Sequence, residues 1–382
     1  MTWQSASPLY TSRISVRKMW NDKAKVEYLN TSGRRIIAVS DIHGNLDYFK
    51  GLIKKIRLSH YDVLIINGDF LEKGEDSLGT LRFIMELSRE YDVHPLCGNC
   101  DSWVEVVDGD TYFTPPRLLK YMLYRQSGLC WDMFHEMGVE LTENTDLAPH
   151  MRELAERFSA EWAFLRKLPQ IIDTPNYTFV HGGIYPDRAF EEHTAGEVMK
   201  LDDFMSQGFT FDKWLVVGHW PVMLYLENHV CANPIINEKQ HIVSIDGGCV
   251  LKDDGQLNAL IIPFEGSEDF SFVAYDKFPV KTVVTPQKGG EKSYYIRWGD
   301  NKVRVLQRGE EFSLCRHVRT GYEMEILTKY LFTDEEETAC NDSTDLVLEL
   351  NAGDEVSVIE TTSRGYLVKH NGTSGWYYGE LK

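Results

Sequence analysis

One pattern recurs along most of the chain: a short, apolar, β-branched run stops at a polar residue flanked by glycine. Ile36-Ile37-Ala38-Val39 ends at Ser40-Asp41-Ile42-His43-Gly44, and Asp62-Val63-Leu64-Ile65-Ile66 ends at Asn67-Gly68-Asp69. Val93 to Leu96 runs into Cys97-Gly98-Asn99-Cys100-Asp101. Tyr177-Thr178-Phe179-Val180 runs into His181-Gly182-Gly183, and Trp214-Leu215-Val216-Val217 into Gly218-His219-Trp220-Pro221. Apolar runs this short, without polar alternation, read as strands buried on both faces. Amphipathic helices separate the first of them. Leu46, Phe49, Ile53 and Ile56 recur at helical spacing, and Leu78, Leu81, Ile84 and Met85 follow a cap at Asp76 or Ser77. Strand, polar loop and helix in alternation mark an α/β layer architecture, which gathers function at the carboxyl ends of its strands.

A single Asp-x-His pair means little, because it arises often by chance. Here Asp41, His43, Asp69, Asn99, His181 and His219 all fall at strand ends. Together they offer hard oxygen and imidazole nitrogen, suited to Mn²⁺, Fe or Zn²⁺. A carboxylate at a central strand end, such as Asp69, can bridge two ions. Two ions about 3.5–4 Å apart activate a shared water and clamp both oxygens of an in-line phosphoryl displacement. Two of the six groups are anionic, so such a centre stays net positive and attracts phosphate. The chain as a whole carries a net charge of −18, which excludes a broad nucleic-acid surface or an anionic membrane face.

The remaining segments are read by character. Residues 1–34 form a mixed, polar extension with Trp3, Tyr10, Trp20 and Tyr28 irregularly spaced. It has no basic stretch leading an apolar core, and no apolar run in the chain reaches membrane-spanning length. Seven cysteines, an odd number scattered over 382 residues, read as reduced thiols, so the expected location is cytoplasmic. Residues 104–170 read as a helical insertion that walls the site, with Met151, Leu154, Phe158, Trp162 and Leu165 along one helix. Ile242-Val243-Ser244-Ile245 ends at Asp246-Gly247-Gly248, with Leu257 to Ile262 as its expected hairpin partner. Trp220 reads as a packing residue or as a base-stacking one. The acidic run Asp334 to Glu337 reads as a solvated loop. From residue 276 onward the sequence is rich in strands and turns, the pattern of a small barrel.

The five blocks Asp41-Ile42-His43-Gly44, Gly68-Asp69, Gly98-Asn99, His181-Gly182-Gly183 and Gly218-His219 resemble, in order and type, those of the calcineurin-like metallophosphoesterases. The branch they resemble is the phosphoprotein (serine/threonine) phosphatases and their bacterial relatives. The resemblance implies a β-sandwich flanked by helices in four layers over residues 35–275, and two divalent or trivalent metal ions (Mn, Fe or Zn). It implies that Asp41, His43 and Asp69 hold one ion, and Asp69, Asn99, His181 and His219 the other. It further implies a bridging hydroxide that attacks phosphorus. Residues 322–382 resemble a bacterial Src-homology-3-like barrel, carried by Asn371-Gly372 and Gly375-Trp376, with a peptide as its possible partner. Residues 276–321 are the expected β-rich linker.

Departures from the phosphatase branch bear on substrate. Lys73 stands where that branch has arginine, so with Asn99 it would bind phosphate as a point charge rather than a planar fork. Glu72 and Cys100 stand at the branch's aspartate and histidine general-acid positions, and a thiol is a poor proton donor to an alkoxide near neutral pH. His135 or His150 of the insertion could supply the acid instead. The expected activity is hydrolysis of phosphate esters like that of a serine/threonine protein phosphatase. The alternatives are a phosphodiesterase or a symmetrical dinucleoside tetraphosphatase. Phosphoprotein, phosphodiester and nucleotide are thus the candidate substrates. A reading of another class is a non-catalytic metal-binding interaction protein. Cys97 and Cys100 form a C-x-x-C pair without a second pair, and read as part of the third block rather than as a redox motif.

Overall fold

The computed structural model describes residues 18–109, 112–334 and 336–382. Trp3 and Tyr10 of the extension and Glu335 of the acidic run lie outside the described residues. In chain order the strands that frame the site are β1 (Val26–Tyr28), β2 (Ile36–Val39), β3 (Val63–Asn67), β4 (Asp92–Leu96), β5 (Ile171–Asp173) and β6 (Tyr177–Val180). They continue with β7 (Trp214–Val217), β8 (Val230–Cys231), β9 (Ile235–Asn237), β10 (Ile242–Ser244), β11 (Leu257–Ile262) and β12 (Ser271–Tyr275). Two sheets result, ordered β12–β11–β2–β3–β4 and β1–β5–β6–β7–β10–β9. Within them β2, β3 and β4 run parallel, as do β6, β7 and β10.

The period of two along each strand explains why the strands read as unbroken apolar runs. Ile36, Ala38, Val63 and Ile65 point between the sheets, where they meet Phe179, Val216 and Val243. Ile37, Val39, Leu64 and Ile66 point the other way, against Phe49, Leu52, Leu81 and Ile84 of helices Leu46–Ile56 and Ser77–Glu90. On the far side of the second sheet, Val180, Leu215 and Val217 pack against Val198 of helix Ala195–Met199 and against Phe204. Each such side chain contributes about 1.5–3 kcal/mol by leaving water. Helix Ser77–Glu90 is capped at one of the two residues its sequence offers. Asp76 accepts the Gly79 amide at 2.7 Å, and the first helix closes at Arg57 with φ 53°.

Two expectations are corrected. Leu257–Ile262 is not the hairpin partner of β10; it pairs with β2 and β12 in the other sheet, while β10 lies between β7 and β9. A run this largely apolar carries little information about which neighbour it joins. The stripe from Met151 to Leu165 belongs to two helices, Met151–Arg157 and Ser159–Leu165, broken at Phe158 (φ −104°, ψ 29°). Its buried members still share one core. The extension adds β1 to the sheet edge beside β5, and the Trp20 indole donates to Ser102 Oγ at 3.0 Å.

The C-terminal region is all-β. Its five-stranded sheet joins Val280–Thr282, Glu355–Thr361, Tyr366–His370 and Thr373–Tyr377, and ends on β8. Asn371 (φ 49°) and Gly372 (φ 81°) make the two-residue hairpin turn that an Asn-Gly pair favours. A second sheet pairs Phe312–His317 with Glu323–Leu327 across residues 318–322. Of the acidic run, Asp334 and Glu337 face each other on paired strands, and Asp334 accepts Lys302 Nζ at 2.6 Å. Two lysines fasten this region to the sandwich. Lys369 meets Asp276 at 2.7 Å and the carbonyls of Asp254 and Gly255, and Lys252 meets Asp342 at 2.6 Å. All seven cysteines are free. Among the described residues no helix is long and apolar enough to cross a membrane.

Candidate metal centre

Because β2, β3 and β4 are parallel in one sheet and β6 and β7 in the other, the residues that follow them converge. Backbone hydrogen bonds lock the first two loops together: Asp41 N to Gly68 O at 3.0 Å, His43 N to Asp69 O at 2.9 Å and Gly44 N to Phe70 O at 2.8 Å. The glycines permit the approach. A Cβ on Gly98 would stand 2.2 Å from Asp69 Oδ1, and one on Gly68 would stand 2.7 Å from His181 Nδ1. Asp41, His43, Asp69 and His219 all adopt left-handed backbone, with φ of 57°, 51°, 50° and 67°. Each such residue costs about 1–3 kcal/mol, a strain that concentrates at functional sites.

Asp69 is the hub. Its Oδ1 lies 3.2 Å from His181 Nε2 and accepts the Cys100 amide at 2.7 Å, while Oδ2 lies 4.0 Å from His43 Nε2. Asp41 Oδ1 lies 3.7 Å from His43 Nε2, and Oδ2 accepts Ser40 Oγ at 2.5 Å and the His219 amide at 3.0 Å. The far nitrogen of each imidazole is occupied. His43 Nδ1 donates to Leu71 O at 3.4 Å, His181 Nδ1 to Asn67 O at 2.9 Å, and His219 Nε2 to Asp202 at 2.6 Å. In its uncharged form each ring thereby keeps its lone pair on the other nitrogen, the arrangement that outer partners impose on metal-binding histidines. Asp41 Oδ1, Asn99 Oδ1 and His181 Nε2 are buried without a hydrogen-bond partner. Donor atoms of His43, Asp69 and Cys100 lie within 4.8 Å of one another, and so do those of Asp69, His181 and His219.

The charge balance favours a cation here. Burial, reinforced by Asp69, pushes Asp41 up to about 6. Burial disfavours a charged His181, yet the carboxylates of Asp69 and Asp41 raise it to about 10. The Lys73 ammonium lies 3.5 Å from His43 Nε2, facing the Cys100, Asp69 and Asp41 side.

The two general-acid positions are not paired. Glu72 accepts the Tyr121 hydroxyl at 2.7 Å and the Leu129 amide at 2.9 Å, so its carboxyl turns into the helical insertion. Burial pushes it up to about 7. Cys100 instead takes the Asn99 side-chain amide at 3.3 Å. His135 of the insertion is engaged with Trp131 O at 2.8 Å on an exposed surface.

Several supporting residues escaped the motif reading. Asp101 accepts three backbone amides, from Asp69 (2.7 Å), Gly98 (2.8 Å) and Leu71 (3.0 Å), and so sets the angle of two loops. Asn67 bonds the carbonyls of Val180 and Val216, tying the first sheet to the second beneath the centre. Both lie inside blocks already singled out, so their position was a signal. Asp202 follows no strand and shares no motif; nothing in the sequence marked it.

The model of the calcineurin-like phosphoesterase family matches residues 34–239. The chain is 25% identical over 228 residues to the bis(5'-nucleosyl)-tetraphosphatase PrpE (asymmetrical) of Oceanobacillus iheyensis, covering 56% of this chain and 84% of that one. Among solved structures it is similar to a candidate diadenosine tetraphosphatase, with 20% identity, a TM-score of 0.43, and 66% of this chain and 99% of that chain covered. It is also similar to a serine/threonine phosphatase of Saccharomyces cerevisiae related to human PP5, with 11% identity, a TM-score of 0.41, and 68% and 86% covered. The chain belongs to the calcineurin-like phosphoesterase family and is a hydrolase acting on phosphoester bonds. That family uses divalent metal ions, and the donors fit them: carboxylate and imidazole nitrogen converge, and Asp41 Oδ1, Asn99 Oδ1 and His181 Nε2 are buried and unpartnered.

Proposed function

We propose that this hydrolase cleaves phosphoanhydride or phosphodiester bonds at a two-metal centre. Asp41, His43 and Asp69 would hold one ion, and Asp69, Asn99, His181 and His219 the other, with Asp69 shared. When bound, such ions supply Lewis acidity and a water of lowered pKa. The observation that carries the reading is the membership of Asp69 in both donor groups, beside the orphaned atoms of Asp41, Asn99 and His181. Lys73 places a cation beside His43, where it would bind a phosphate oxygen, and the Asn99 amide would offer a second donor.

The leaving group decides between substrates. An alkoxide departing from phosphoserine needs a proton donor, worth about 10²–10⁴-fold in rate. Here the donor position is a thiol, and Glu72 is engaged elsewhere. A phosphate or aryl leaving group needs no such help. The tetraphosphatase relative supports the same direction. Hydrolysis like that of a serine/threonine protein phosphatase is the competing reading. A panel of diadenosine tetraphosphate, an aryl phosphodiester, an aryl phosphomonoester and a phosphopeptide, assayed with Mn²⁺, tests it. Preference for the anhydride or diester is expected, and preference for the phosphopeptide overturns it. Products then separate symmetrical cleavage, giving two nucleoside diphosphates, from asymmetrical cleavage, giving a mono- and a triphosphate.

We further propose residues 35–275 as the hydrolase unit and 322–382 as a Src-homology-3-like barrel joined through 276–321. A peptide partner would dock at the exposed Tyr378, since Trp376 is turned inward to Thr344 O. A cytoplasmic site of action belongs to the same proposal, from the odd cysteine count.

A further inference from the structure

Trp220 follows His219 directly at the end of β7, and its indole Nε1 is buried without a hydrogen-bond partner. Edge-to-face against it, with ring centroids 5.8 Å apart and planes at 71°, is Trp298 of the C-terminal region. Trp298 is 52% exposed. A lone exposed aromatic is ordinary on a protein surface. This one is held in place from several sides. Its amide donates to Asp342 Oδ1 at 2.8 Å, and Asp342 Oδ2 accepts Lys252 Nζ at 2.6 Å and the Tyr295 hydroxyl at 2.5 Å. Lys252 lies in the loop that follows Asp246-Gly247-Gly248, and the neighbouring Arg297 donates to Leu226 O. The turn carrying Trp298 is therefore pinned to two segments that follow Trp220, at Leu226 and at Lys252. A side chain that only filled space would not need an indole with an unanswered N–H, nor so many anchors for a half-exposed ring.

We propose that Trp298, backed by Trp220, is a stacking platform for the nucleobase of a nucleoside polyphosphate whose phosphates lie at the metal centre. The proposal rests on the phosphoanhydride reading above and names its substrate class. The division of labour suits the charges. An acidic surface repels a polyanion everywhere except at the centre and Lys73, while an uncharged base gains from an aromatic face whatever the field. Base–aromatic stacking tolerates any base, because every base has a π-face. The platform would thus select for nucleotides without selecting among them.

The test is calorimetric titration of the full chain with Mn²⁺ and the non-hydrolysable imido analogues of adenosine triphosphate and of inorganic tripolyphosphate, in wild type, Trp298→Ala and Trp298→Phe. Wild type should bind the nucleotide about 5- to 150-fold more tightly than tripolyphosphate, the range that one stacked base provides. That ratio should collapse toward one in Trp298→Ala and recover in large part in Trp298→Phe. Equal affinities in wild type, or a ratio that survives Trp298→Ala, overturn the platform. The ratio is read without turnover. If the chain hydrolyses no anhydride, the phosphoanhydride reading fails by itself, and the binding ratio still decides the platform.

Discussion

His219 donates its Nε2 proton to Asp202 at 2.6 Å, which commits that nitrogen and leaves Nδ1 as the ring's free lone pair. Asp202 is 57% exposed at its side chain and comes from a loop remote from every motif, yet it fixes which face of the imidazole a metal would meet. The pairing would make a residue outside the proposed donor set part of its metal affinity.

Removing it should weaken the centre without emptying it. Asp202→Ala is expected to raise the Mn²⁺ concentration for half-maximal activity about 10- to 100-fold, with Asp202→Asn in between. Asp41→Asn and His181→Ala should go further and abolish metal-dependent hydrolysis, with the circular dichroism spectrum unchanged. An unaltered Mn²⁺ requirement in Asp202→Ala would show that the imidazole needs no outside partner.

Restoring an imidazole at the donor position should shift the substrate range. Cys100→His is expected to raise phosphomonoesterase activity about tenfold, short of the roughly 10²–10⁴-fold that a well-oriented general acid provides. Glu72, bonded to Tyr121, is in no position to orient the new ring. Steady-state rates on an alkyl phosphomonoester measure this, and no gain would mean that the proton comes from another group or is not needed.

The C-terminal region is fastened by a buried charge. Lys369 is 3% exposed at its side chain and meets Asp276 as well as two carbonyls. Lys369→Met should destabilise the chain by about 3 kcal/mol, because it leaves Asp276 and both carbonyls short of a donor. Urea denaturation gives the value. A loss under about 0.5 kcal/mol would match an exposed ion pair and contradict this account.

One histidine couples stability to pH away from the centre. His94 on β4 bonds Glu27 of β1 at 2.6 Å and Asp92 at 2.8 Å, and so links the edges of the two sheets; Arg34 also pairs with Asp92. Burial works against its charge, but the two carboxylates raise it above the ordinary histidine value. A group raised in the folded state stabilises fully below its unfolded pKa and loses that effect as pH climbs through the folded one. The stability gap between wild type and His94→Gln should therefore be widest in mild acid and narrow on the alkaline side. Denaturation midpoints at several pH values would show a constant gap if the charge plays no part.

The parts of this molecule that were legible in its sequence are those where burial is uniform. β2, β3, β6 and β7 are enclosed on both faces, so they appear as unbroken apolar runs whose ends locate Asp41, Asp69, His181 and His219. Near-uniform burial likewise hid the sheet of Leu257–Ile262, since a strand apolar at every position but Asn258 fits many neighbours. The break at Phe158 was hidden for a related reason: the ring stays buried on either side of the interruption, so the periodicity continues across it. Asp101 and Asn67 act through backbone groups, and such partners leave no spacing to recognise. Asp202 is brought to His219 only by the folded path of the chain.

The left-handed backbone at Asp41, His43, Asp69 and His219 has a consequence for how this protein would respond to selection. Asparagine or glycine would sit more easily at each of those positions. Breeding the chain for heat tolerance alone should therefore drift toward such replacements and arrive at a sturdier but inert protein. A library screened for both properties would keep all four residues and find its thermal gains elsewhere.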